Sequence, residues 1–475
     1  MSSSPKPGPG LADTAIRAER RVLAALIAFA TLACVLLMAL RAWLPVSFAF
    51  LLDKGVVDRH SQSTRLVPLG LAVAVASFHV GLFFMPPVSW VATRLGYRAY
   101  TMFTLAASSL LLLMESSVSV LSAAAALWPM LCVTRMLMGA CQAAFLTATL
   151  DMITSQCYFA GISCELVTSS LSILVLFTLG PGTLVLALWD SHAASSENAY
   201  TSQGTAIGMS LLCVSVGVLG FWLSNEYTIL SRDELSDIEC RREELEIQAW
   251  TMESRLYENQ SSPGALSSMR PVVVIRVLLG SALSLVYGCL MYSLLTWFPL
   301  IAWRVLVHST SSVRAVHLWL IALAALALVL SPICAMLMRW RSKFMTPGGL
   351  VVVFLCTRLL SNYVLTRSLW TLLVWVLVAS CCLGMYESNM VTAFDVTSDL
   401  PISVPSAMGA ILQTSLHVGA SLGILLPAFT SSLYRLEIVY SFLAVCCLAL
   451  YAGACLVLFL EGECPSDSES AGLLR

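Results

Sequence analysis

Long apolar runs separated by short polar turns make up most of the chain. About 20 consecutive apolar residues is the length that crosses a bilayer as a helix. Twelve such runs can be placed, at residues 22–50, 67–92, 99–119, 124–150, 163–188, 205–224, 272–302, 316–338, 348–366, 369–392, 403–430 and 437–460. The pattern predicts an all-α polytopic membrane protein with twelve transmembrane helices, arranged as two six-helix pseudo-repeats. Residues 225–271, between the sixth and seventh runs, are the most charged part of the chain. Within them Leu235, Ile238, Leu245, Ala249, Met252 and Leu256 recur at helical spacing, which predicts an amphipathic helix along the membrane face. This helix reads either as a simple linker between the halves or as a docking site for a regulator. The expected domains are a polar N-terminal tail at 1–21, a six-helix bundle at 22–224, the charged linker at 225–271, a second six-helix bundle at 272–460 and a C-terminal tail at 461–475. The first apolar run is too long for the core of a signal peptide.

Composition agrees. The chain of 475 residues is 58% hydrophobic and 11% charged, whereas a soluble domain carries roughly 25% charged residues. The net charge of -1 says little about partners, because the charges sit in loops. Of the sixteen cysteines, Cys132, Cys213, Cys356, Cys381, Cys382, Cys446 and Cys447 fall in apolar runs, where cysteine packs as a small apolar residue. No CxxC spacing occurs, so neither a disulfide framework nor a metal site is expected. No enzyme signature, cofactor motif or nucleic-acid-binding pattern is evident. Lys and Arg mark the cytoplasmic side. With the N-terminus inside, the inside segments carry fourteen and the outside loops seven, which places both termini in the cytoplasm. The one Asn-x-Ser sequon, at Asn259, then lies inside and should carry no glycan.

The turn between the second and third runs reads Ser89-Trp-Val-Ala-Thr-Arg-Leu-Gly-Tyr-Arg98. Its pattern resembles the loop between the second and third spans of the major facilitator superfamily, Gly-x-Leu-Ala-Asp-Arg-x-Gly-Arg-Arg. Ala92, Arg94, Gly96 and Arg98 match, Ser89 stands for the first glycine, and Thr93 replaces the aspartate that in the family helps to hold the two halves together. Arg135-Met-Leu-Met-Gly139 is similar to the family's fourth-span motif, Arg-x-x-x-Gly. Gly180-Pro181 resembles the Gly-Pro of the antiporter motif in the fifth span. Residues 403–425, with Gly409, Gly419 and Gly423, look like the eleventh span of drug–proton antiporters. The resemblance implies a twelve-helix transporter in which Arg94, Gly96, Arg98, Gly139, Gly180 and Pro181 serve gating.

Ionisable residues inside apolar spans cost a few kcal/mol each, so they are the default functional candidates. Arg135, Arg41 and Arg358 are the candidate substrate-binding groups, and their excess over central acids points to a solute with an anionic or carboxylate group, such as an amino acid. Arg135 either faces a central cavity or is locked to a neighbouring helix by carbonyl or carboxylate contacts. Glu387 reads as a proton carrier, because a carboxyl in hydrocarbon can load and release a proton, or as a carboxylate reaching toward the cytoplasmic end. His79 and His417 are proton relays or hydrogen-bonded packing residues. Glu115, near the outer end of the third run, is expected at the boundary. The expected function is proton-coupled transport of a small organic solute by alternating access. A non-transporting receptor or scaffold, favoured by Thr93 and the incomplete antiporter motif, and a passive uniporter are the alternatives.

In the C-terminal tail, Glu469-Ser-Ala-Gly-Leu473-Leu474 resembles the acidic dileucine signal read by clathrin adaptors, a carboxylate for a basic patch and two leucines for an apolar pocket. It implies a clathrin adaptor as partner and an endosomal, lysosomal or vacuolar membrane, with the plasma membrane as the alternative.

Overall fold

The computed structural model describes residues 9–53, 67–121, 124–162, 200–260, 275, 278–290, 292–293, 296–297, 405–430 and 433–462. Among them there is no strand. The helices are α1 (Pro9–Asp53), α2 (Leu69–Gly81), α3 (Met85–Leu95), α4 (Tyr97–Leu121), α5 (Ala124–Gln142), α6 (Phe145–Ala160), α7 (Tyr200–Leu223), α8 (Glu226–Ile229) and α9 (Arg232–Gln260), then α10 (Leu278–Leu290), α11 (Pro405–Phe429) and α12 (Leu433–Gly462). The stretches Thr14–Arg41, Tyr97–Ser117 and Ala206–Leu223 are each long and apolar enough to cross a membrane. The expected spans at 163–188, 316–338, 348–366 and 369–392 lie outside the described residues.

Local chemistry explains where helices begin and break. The second expected span is two helices joined by a 3₁₀ turn, Leu82–Phe84. Pro86 and Pro87 follow at the start of α3, where a missing N–H costs nothing. Gly96 separates α3 from α4 with φ 76°, a conformation costly for any residue with a side chain. The fourth expected span is broken between α5 and α6, and α6 continues to Ala160, past the expected end at 150. Bilayer length sets where a span can stop and does not oblige the helix to stop there. Helix α1 likewise begins at Pro9, well inside the expected polar tail. The reason is an apolar stripe of Ala15, Ala18, Val22 and Leu26, which packs on Leu230 and Ile238 of the linker region.

The described helices form two compact units, α1 to α9 and α10 to α12. In the first, α2 lies along α5 and α4 along α7, while α1 contacts α6, α7 and α9. Leu37, Leu40, Leu105, Leu112, Met138 and Phe145 fill its interior. Leu211, Val218 and Trp222 on α7 point outward, as a face in contact with lipid requires. Within this unit α9 packs on α1 through Ile238, which is 1% exposed. In the second unit α10 and α11 cross at backbone contact. A Cβ on Gly419 would lie 1.9 Å from the Leu285 carbonyl oxygen, and one on Gly423 1.9 Å from that of Cys289.

Candidate functional site

Helices α4 and α5 form an antiparallel hairpin with two polar rungs in an apolar interior. The rungs are made by Ser108 and Glu115 of α4 and by Arg135 and Gln142 of α5. Each pair is seven residues apart, which puts both members on one helix face. Glu115 meets Arg135, and Ser108 meets Gln142. Arg135 is 1% exposed and Glu115 2%. The guanidinium donates from Nε and Nη2 to Glu115 Oε1, at 3.1 and 2.7 Å. Its Nη1 donates to the carbonyl oxygens of Leu40 and Arg41 on α1, at 3.1 and 2.9 Å. Arg135 thus ties three helices together.

The second rung reaches the same stretch of α1. Arg41 Nε donates to Gln142 Oε1 at 2.9 Å, and Gln142 Nε2 donates to Ser108 Oγ at 3.1 Å. The Arg41 guanidinium also lies 4.7 Å from the centre of the Phe78 ring on α2, a cation–π contact. One turn beyond Arg135, Gly139 allows α2 to approach closely. A Cβ there would sit 2.0 Å from the Phe78 carbonyl oxygen, and one on Gly81 would sit 2.1 Å from that of Met136. His79 is buried and packs edge-on to Phe78 at 5.5 Å.

A second charged cluster lies at the opposite end of the first unit. Arg242 of α9 donates from Nε and Nη2 to the two oxygens of Glu19 on α1, at 2.7 and 2.9 Å. Its Nη1 reaches Glu226 at 3.1 Å, and Arg98 at the start of α4 reaches the same carboxylate at 3.2 Å. Gln156 on α6 also bonds Glu19, and Arg21 pairs with Glu234. Burial pushes the Glu226 carboxyl up, but the hydrogen bonds and charges of Arg242 and Arg98 outweigh it and hold the group below its ordinary value. Burial also disfavours the Arg242 charge, and Glu19 and Glu226 more than reverse that effect.

The candidates among the described residues fall in separate places. Arg135, Arg41, Gly139 and His79 gather where α1, α2, α4 and α5 meet. Arg94 is exposed and stacks on Trp90 at 5.4 Å, whereas Arg98 joins the linker cluster. His417, half-buried on α11, packs against Tyr292 at 6.4 Å in the second unit. Arg358, Glu387, Gly180, Pro181, Glu469, Leu473 and Leu474 lie outside the described residues. Glu115, expected at the boundary, lies near the end of the apolar stretch Tyr97–Ser117 and is buried there against Arg135. Ser108, Gln142, Glu19, Glu226 and Arg242 are additional. The matched seven-residue spacing on adjacent runs is the signal that marks Ser108 and Gln142.

No family model matches the chain, and no curated protein matches it. Solved structures do. The chain is similar to a D-xylose–proton symporter with a TM-score of 0.59 and 12% identity, covering 90% of this chain and 97% of that one. It is similar to the nucleoside transporter NupG with a TM-score of 0.56 and 12% identity, over 92% and 99% of the two chains. A third structure, the peptide transporter POT, gives 0.54 and 13%, over 93% and 94%. The fold is therefore that of the major facilitator transporters.

Proposed function

We propose that the chain is a secondary active transporter that moves a small organic solute across a membrane by alternating access, driven by protons. The observation that carries this reading is the polar constellation of buried Arg135, Gln142, Ser108 and Glu115 with half-buried Arg41, in a bundle whose fold is shared by sugar, nucleoside and peptide transporters. Apolar packing alone gives no reason to retain such groups there. Arg41 donates to the Gln142 amide oxygen and lies over the Phe78 ring, and its guanidinium is a candidate group for an anion on the solute, such as a carboxylate. Arg135 places α1 and completes the site, and Arg358 is a third candidate cation. Glu387, His79 and His417 are the candidate coupling groups. The loop residues Arg94, Gly96 and Arg98, the close crossing at Gly139, and Gly180-Pro181 supply gating. The dileucine tail at Glu469, Leu473 and Leu474 would be read by a clathrin adaptor and would place the protein in an acidic endosomal, lysosomal or vacuolar membrane, with both termini cytoplasmic.

An unbiased comparison of metabolites in membrane compartments from knockout and wild-type cells tests the reading. A solute displaced by loss of the protein supports it, and an unchanged profile counts against it. A receptor or scaffold that keeps the fold is the second reading. Thr93 favours it, since it removes the loop carboxylate that the resembling family uses between its halves. A passive uniporter would show flux that a protonophore leaves unchanged.

A further inference from the structure

We propose that Glu115 is a proton-exchanging group, which takes its proton on Oε2, the oxygen that Arg135 leaves bare. The inference rests on the proton-driven reading above and adds to it a residue that carries the proton. A full-strength arginine–carboxylate pair places one donor on each oxygen. Here both donors, Nε at 3.1 Å and Nη2 at 2.7 Å, converge on Oε1. Oε2 is buried and has no hydrogen-bond partner among the described residues. A bare anionic oxygen away from water is costly. A proton on Oε2 removes that cost, and both Arg135 donors stay on Oε1, now a neutral and weaker acceptor.

An O–H bond forms between Oε2 and a proton brought by water from the acidic side. The same bond breaks when the proton leaves to water on the other side, and no electron pair is lost from the carboxyl. The pair alternates between neutral and singly positive. In the positive state Arg135 still donates Nη1 to the carbonyls of Leu40 and Arg41, so its hold shifts from α4 toward α1. The proton is thereby felt by the helix that also carries Arg41.

The surroundings are sparse in charge. Among the described residues the charged group acting on Glu115 is Arg135, on α5. From α1, Arg41 turns its side chain to Gln142 and Phe78. Helix α7 carries no charged residue, α6 carries Asp151, and α3 carries Arg94, stacked on Trp90. On α2 the titratable group is His79, packed on Phe78.

Infrared difference spectra of the full-length protein in lipid nanodiscs, taken between alkaline and mildly acid pH, test the proposal without a known solute. The wild type should gain a carboxylic-acid C=O stretch on acidification. Glu115→Gln should lose that band, and Glu115→Asp should restore it at a shifted frequency. A band unchanged in Glu115→Gln, or no band in the wild type, overturns the proposal. If Glu115→Gln fails to fold, the frequency shift in Glu115→Asp decides, and an unshifted band overturns it. Solute flux with a pH-invariant Glu115 would sink this inference alone. An intact band without flux of any solute would sink the transport reading alone.

Discussion

Removing one member of the Glu115–Arg135 pair should cost far more than removing both. Glu115→Leu takes away the acceptor for Nε and Nη2 and leaves Arg135 a buried cation with, among the described residues, only the Leu40 and Arg41 carbonyls. Breaking a buried pair in this way costs about 3–5 kcal/mol, whereas replacing both partners by apolar residues of similar size is often neutral. Arg135→Met should fall at the lower end of that range, because the orphaned Glu115 can take up a proton. Glu115→Gln keeps a neutral acceptor for both donors and loses only the charge assistance, so about 1–3 kcal/mol is expected. The double variant Glu115→Leu with Arg135→Met should then be more stable than either single variant, with a coupling energy of about 3 kcal/mol. The assay is unfolding of the purified protein in mixed micelles, followed by far-UV circular dichroism for the wild type, both single variants and the double variant. Single-variant costs that simply add in the double variant would refute the buried, mutually dependent pair.

Four further outcomes are expected. Gly139→Val puts a Cβ 2.0 Å from the Phe78 carbonyl oxygen, so α2 and α5 must part, with a loss of about 1–3 kcal/mol read as a lower unfolding midpoint. Arg242→Ala removes the charged partner of the buried Glu19 carboxylate, leaving Gln156, and should speed amide hydrogen exchange along α9 while leaving α4 and α5 protected. The same docking is pH-sensitive: the Glu226 carboxyl is held below its ordinary value in the folded protein, so its contribution is complete above that ordinary value and is lost as pH falls through the lowered one, which exchange of α9 against pH would display. Leu473→Ala with Leu474→Ala should move a tagged protein to the cell surface, and an unchanged location would show that the tail is not the address.

Arg135 and Gly139 stand out in the sequence because a lone cation and a helix-spaced glycine in an apolar run each ask for a physical reason. Glu115 does not stand out. It lies near the end of its run, where a carboxylate normally meets water, and only the antiparallel hairpin turns it toward Arg135. Gln142 and Ser108 escape notice because neutral polar residues are common in spans, and their meaning comes from pairing across two helices. The apolar stripe in 225–271 correctly marks a helix. What it packs on was hidden, because Ala15 and Ala18 look unremarkable inside a polar tail until Ile238 is placed against them. The break between α5 and α6 was equally hidden, since Ala143 and Ala144 carry no turn chemistry.

The central claim is coupled transport, and flux is its most direct test. Purified protein in proteoliposomes, with an acidic exterior and a neutral interior, would be offered the solute that accumulates or disappears in knockout compartments. Accumulation against the solute gradient is expected, abolished by a protonophore and strongly reduced in Arg41→Lys and Arg135→Lys, which keep the charge but lose the planar fork. No flux of that solute by folded wild-type protein, in either direction of the pH gradient, would contradict it.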